Sequence, residues 1–109
     1  MLGVAMIRHA FTMKLKPGFE AEYRRRHDEI WPALSGELKR AGVSDYSIYL
    51  DPETLTLFAF QKLSDNNSSD TLPANAIVKK WWKYMADIMD TNGDNSPVSK
   101  DLVEVFHMD

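Results

Sequence analysis

The sequence predicts a ferredoxin-like α+β fold, an antiparallel sheet with helices on one face. Three observations predict it. Segments with strand and helix spacing follow one another in the order strand, helix, strand, strand, helix, strand. The chain has 109 residues, the size of one domain. It contains no internal repeat and no linker that would divide it, so residues 1–109 read as a single unit.

The first strand is read from Ile7, His9, Phe11, Met13 and Leu15, which alternate with Arg8, Ala10, Thr12 and Lys14. That period of two marks a half-buried strand, and Lys16-Pro17-Gly18 ends it. Residues 1–5 read as a short extension, because a second methionine follows at Met6. Phe19, Tyr23, His27, Ile30/Trp31, Leu34, Leu38 and Ala41 then recur every three or four residues, one stripe of a helix. Pro32 interrupts the stripe and would break the helix there, giving one segment near 18–29 and a second near 32–41. Gly42 stands where a helix C-terminal glycine belongs.

Residues 43–50 form the second predicted strand, with Tyr46, Ile48 and Leu50 on one face and Tyr49 on the other. Asp51-Pro52-Glu53 is a turn, and residues 55–63 complete a hairpin. Residues 64–71 are rich in Asn, Ser and Asp and fit either a loop or a frayed helix. Ile77, Trp81, Tyr84/Met85 and Ile88 place a helix from residue 73 to about 89, followed by a turn-forming loop over 90–97. A fourth strand is expected over 102–108, with Val103, Val105 and His107 on one face. Such a sheet leaves its second face bare. A homodimer with two sheets packed face to face would cover it.

Composition narrows the function. A net charge of −3 supplies no basic field for nucleic acid or anionic lipid. Arg24-Arg25-Arg26 reads as a solvated helix face offset by Glu20, Glu22, Asp28 and Glu29. With no cysteine there are no disulfides, thiol catalysis or thiolate metal sites. No apolar run approaches the roughly 20 residues of a membrane span. The first eleven residues lack the pattern of a signal peptide, so the expected compartment is the cytoplasm. Three Trp, four Tyr and five Phe are many for so small a core, and some should line a pocket or an interface.

Five words then become specific: EYRRRHDEIWP at 22–32, YSIYLD at 46–51, KKWWKYMADIM at 79–89, DNSPVS at 94–99 and EVFHMD at 104–109. In that order they resemble the L-rhamnose mutarotase family, over nearly the whole chain from Met6 onward. The resemblance implies a dimeric ferredoxin-like α/β barrel that interconverts the α and β anomers of L-rhamnose without cofactor or metal. The family's proton-donating histidine matches His27. Its sugar-binding tyrosine, one helical turn earlier, matches Tyr23. Its strand tyrosine matches Tyr46, and its paired tryptophans match Trp81 and Trp82. The chain departs from the family at 66–75, where a better helix former is usual, and at Gly93, where proline is often seen.

The chemistry suits these residue types. Mutarotation opens the hemiacetal ring, allows rotation about C1–C2 and recloses the ring on the other face. A proton must reach the ring oxygen and another must leave the anomeric hydroxyl, both general acid–base steps. Histidine can give and accept near neutrality, with an unperturbed pKa of about 6.5. Tyr23 and His27, four residues apart, share one helix face. Trp81 and Trp82 lie about 100° apart on a helix, so one could lie against the sugar while its neighbour packs. From spacing alone, His27 could equally be a structural residue and the tryptophans core or interface. The second proton partner is open among Asp87, Asp94, Glu104 and water. Two further functions fit the same scaffold: a cofactor-free oxygenase or haem-degrading enzyme, and a non-catalytic sugar-binding dimer module.

Overall fold

The computed structural model describes residues 6–109; the extension expected over 1–5 lies outside them. The elements are β1 (Met6–Lys14), α1 (Glu20–Asp28), α2 (Pro32–Arg40), β2 (Val43–Asp51), β3 (Thr56–Ser64), a 3-10 helix (Ser69–Ala74), α3 (Ala76–Met85) and β4 (Lys100–Asp101). The four strands form one antiparallel sheet in the order β2-β3-β1-β4. Helices cover one face of it, as the sequence predicts.

Register fixes which side chains meet the helices. Met13 stands opposite Leu57, Phe11 opposite Ala59 and His9 opposite Gln61, while Ile48 and Leu50 continue the same face on β2. Met13, Leu57 and Ala59 are buried there with Leu15, Tyr23, Leu34, Val78, Trp81, Met85, Ile88 and Met89. The pairing slips between Ser44 and Ser47, a bulge that sets Asp45 and Tyr46 against the single residue Gln61. Asp45 takes a left-handed φ of 48° at this point, which aspartate tolerates better than most residues. Because of the extra residue, buried Val43 and pocket-facing Tyr46 both turn toward the helices, although they are an odd number apart.

The helix breaks follow local chemistry. α1 carries Glu20 and Glu22 in its first turn and Arg25, Arg26 and His27 in its last, both signs matched to the helix dipole. Trp31, the residue before Pro32, is extended at φ −64°, ψ 127°, because proline excludes the helical region from its predecessor. Pro32 then opens α2, where its missing N–H costs nothing. Gly42 closes α2 at φ +92°; a Cβ there would meet the Ser64 hydroxyl and lie 2.9 Å from Asn67 Cβ.

Two expectations need correction. The helix placed at 73–89 is α3, Ala76–Met85. Pro73 belongs to the 3-10 helix, and Asn75 is the cap, its side chain accepting from the N–H groups of Ile77 and Val78. The undecided stretch 64–71 is accordingly a turn that leads into that 3-10 helix. The fourth strand is also shorter and earlier than expected. β4 is only Lys100–Asp101, paired with Thr12 and Phe11. The last sheet bond of this segment runs from Leu102 N–H to Ala10 O, and residues 102–109 are not strand. Val103, Val105, Phe106 and Met108 there are 77–92% exposed. Their alternation states a capacity to pair, but beyond Leu102 the segment makes no backbone ladder with β1 and reaches it through the Arg8–Glu104 ion pair.

The bare sheet face is also present. Phe58, Phe60 and Tyr49 lie on the side away from the helices. Tyr49 is 64% and Phe60 44% exposed, and their rings meet edge to face at 5.9 Å.

Candidate active site

All five residues singled out in the sequence line one cavity of about 1110 Å³, between the helices and the inner sheet face. Tyr23 and His27 enter it from α1, Tyr46 from the β2 bulge, and Trp81 and Trp82 from α3. Its floor is apolar, with Met13, Ile48, Leu50, Leu57 and Met85 among the lining residues.

The imidazole of His27 stacks on the Tyr23 ring at 4.3 Å between centroids and forms a T-shaped pair with the Trp81 ring at 5.4 Å. Its Nδ1 lies 3.0 Å from the carbonyl oxygen of Tyr23. A carbonyl only accepts, so Nδ1 carries a proton and Nε2 is the nitrogen left for a substrate. Burial lowers the His27 pKa below its usual 6.5, against the opposing pull of the Tyr23 carbonyl and Asp28. The ring is therefore neutral at pH 7, with Nε2 as a lone-pair acceptor. The two tyrosines shift the other way. Burial raises Tyr23, helped by nearby Tyr46, and burial pushes Tyr46 up to about 12. Tyr46 is 38% exposed as a whole residue, so the low-polarity environment belongs to its hydroxyl end. Both phenols keep their protons and are available as hydrogen-bond donors.

Trp81 is buried, at 8% exposure, and takes the packing role; Trp82 is half-buried on the same cavity. Trp31 and Tyr84 extend the aromatic wall behind Trp81, at 5.1 Å and 5.5 Å from its ring. Both are expected on helix stripes, Trp31 with His27 and Tyr84 three residues after Trp81, but neither is singled out for the site from the sequence.

The three carboxylates considered as the second proton partner lie elsewhere. Asp87 is held by Arg26, Glu104 by Arg8, and Asp94 accepts from Ser96. None lines the cavity; the carboxylates that do are Glu20, Asp28 and Asp45, with Arg24 and Lys39 among the cations. The arginine run also divides. Arg25 is solvated and paired with Glu22 and Glu29, as expected, whereas Arg26 is buried, a correction to the reading of all three as a surface face. Its position was legible: residue 26 is three after Tyr23 and seven after Phe19, on the inward side of α1. Among the described residues, no three His, Asp or Glu side chains converge as a metal-ligand set, and no helix is long and apolar enough to cross a membrane.

The model of the L-rhamnose mutarotase family matches residues 8–108. The chain belongs to the L-rhamnose mutarotase family. It is 62% identical to the L-rhamnose mutarotase of Brucella anthropi over 101 residues, covering 93% of this chain and 95% of that one. It is also 62% identical to that of Bacteroides thetaiotaomicron over 104 residues, covering 95% and 100%. The crystal structure of L-rhamnose mutarotase from Formosa agariphila superposes with a TM-score of 0.88 at 56% identity, covering 94% of this chain and 99% of that one. The scaffold alone also admits oxygenases and binding modules. Membership of the mutarotase family is what decides among them.

Proposed function

We infer that this protein is an isomerase that interconverts the α and β anomers of L-rhamnose. The observation that carries the inference is the convergence, in a member of this family, of Tyr23, His27, Tyr46, Trp81 and Trp82 on one cavity. Opening requires the O1 proton to leave, the C1–O5 bond to break and O5 to gain a proton. We assign the first step to neutral His27, whose Nε2 accepts the O1 proton while Nδ1 stays on the Tyr23 carbonyl. The protonated ring is then the acid that returns this proton to O1 when the ring closes on the opposite face. Tyr23 and Tyr46, both protonated, are the groups assigned to donate hydrogen bonds to the sugar, and water is assigned to supply the proton that O5 takes up. The indole wall supplies an apolar surface for the ring and methyl group of a 6-deoxy sugar. The test is saturation-transfer NMR on the anomeric protons of L-rhamnose. We expect faster α/β exchange at catalytic protein concentration, and an unchanged exchange rate would overturn the reading.

We propose further that the active form is a homodimer. The exposed rings of Tyr49 and Phe60 on the bare face, and the exposed apolar residues of 102–109, support this. Sedimentation velocity should give twice the 12.5 kDa chain mass, and Phe60→Asp should shift it toward one chain. A single-chain mass for the unaltered protein at micromolar concentration would exclude the dimer.

A further inference from the structure

Arg26 is the one buried polar or charged side chain among the described residues, at 8% exposure. It sits directly before His27, and four of its five N–H donors are committed. Nε donates to Glu22 at 2.7 Å. Nη1 donates to Asp87 at 2.8 Å and to the Tyr84 carbonyl at 2.8 Å, and Nη2 donates to the second Asp87 oxygen at 3.2 Å. The guanidinium carbon also lies 4.5 Å from the centre of the Tyr84 ring, within range of a cation–π contact. One side chain thus ties the last turn of α1 to the last turn of α3 and the residues just after it.

The consequence reaches the site through rings in contact. Tyr84 touches Trp31 and Trp81, Trp31 meets Trp81 edge to face, and Trp81 and His27 form another T-shaped pair. The short hydrogen bonds from α1 to the end of α3 and the residues just after it come from Arg26; the Tyr84 side chain also interacts with Arg25 at the solvent-facing side of α1. Stacked and edge-to-face contacts alone leave two helices free to slide, because aromatic pairs tolerate a range of offsets. A forked guanidinium with a bidentate carboxylate does not.

We propose that Arg26 is a positioning residue: its fork to Asp87 and the Tyr84 carbonyl sets the register of α1 against α3, and so holds His27 against Trp81 in the geometry that the proton transfer needs. This rests on the mutarotase reading for its kinetic consequence, but its structural half stands independently. Misplacing a catalytic group by about an ångström costs up to roughly 100-fold in rate, so a clamp beside the histidine acts on turnover more than on sugar affinity.

The experiment uses Arg26→Lys, which keeps the charge but loses the fork, and Asp87→Asn, which keeps the shape but loses the charge. Arg40→Met, at an exposed pair on α2, is the control for removing an arginine. Anomer-exchange kinetics would be measured well below each variant's melting midpoint, alongside the imidazole proton shifts of His27. For R26K and D87N we expect kcat to fall by about 10- to 100-fold with KM changed less than about threefold, and the His27 shifts to move as its place against the Trp81 ring changes. The double variant should lose no more than the worse single one, because both act through one clamp. Wild-type kcat and unmoved His27 shifts in folded R26K and D87N would overturn the proposal, as would losses that follow only the unfolded fraction. If the unaltered protein does not accelerate exchange, the mutarotase reading has failed, and the His27 shifts alone decide the clamp.

Discussion

Replacing His27 with alanine is expected to lower the catalysed rate of anomer exchange by a factor of about 100 or more, the scale of a lost general acid–base group, while the protein stays folded. The imidazole is half-buried and makes one hydrogen bond, to the Tyr23 carbonyl. Its removal costs ring contacts with Tyr23 and Trp81 but leaves no buried charge behind. The pH dependence of the unaltered enzyme tests the assigned role. Burial lowers the pKa of His27 below 6.5, and in the proposed role the base form is the active one. The value of kcat/KM should therefore be flat through neutrality and fall toward acid, with its inflection below 6.5. Had the ring to begin as imidazolium and protonate O5 first, the slope would be reversed, with activity falling as pH rises through that same pKa. Exchange rates measured by NMR from about pH 4 to pH 9 separate the two orders, because the two limbs have opposite sign. An alanine variant with near-normal exchange would remove His27 from the mechanism.

The largest stability effect is expected at Leu15. It is 2% exposed, lies just past the end of β1, and bridges to Met89 while its N–H bonds the Leu55 carbonyl. It therefore joins the sheet edge to the segment that follows α3, and it does not line the cavity. Leu15→Ala keeps the backbone bonds but leaves a void that neighbouring Ile88, fully buried, cannot fill without moving. Such truncations cost about 2–5 kcal/mol, against a total stability of roughly 5–15 kcal/mol for a domain. The melting midpoint should fall by at least about 8 °C. Calorimetry at fixed protein concentration checks this, since a dimer melts in a concentration-dependent way. A shift of only a degree or two would show that the site collapses freely and that this corner of the core is loosely packed.

Local rules were readable wherever the residue that imposes them sits inside the element it shapes. Pro32 broke the helix stripe where expected, Gly42 ended α2 with a positive φ, and the hairpin closed around Asp51 and Pro52. The Tyr23–His27 pair followed from four-residue spacing, and the match of five words to one family brought Tyr46 and the two tryptophans into the same site. The start of α3 was misplaced because proline and asparagine both favour helix beginnings. Which of them caps depends on whether the Asn75 side chain reaches the N–H groups of Ile77 and Val78, and it does.

Other features had no local signature. The β2 bulge is visible only when the strand is laid against β3, because a bulge is a mismatch between two segments. Residues 102–109 carry strand alternation, yet a strand forms only where backbone groups pair with a neighbour, and beyond Leu102 this segment makes no backbone bond to the sheet, although Glu104 still pairs with Arg8 of β1. The sequence by itself determined the class of fold, the family and a histidine that lines the cavity, since periodicity, turn residues and ordered words are properties of one chain read in order. Tertiary structure alone decided that Arg26 is buried among Glu22, Asp87 and Tyr84, that Nδ1 of His27 is already engaged, and that the remaining candidate carboxylates face away. Each depends on which groups from distant segments share one low-polarity space, where burial and hydrogen bonding set charge and proton position.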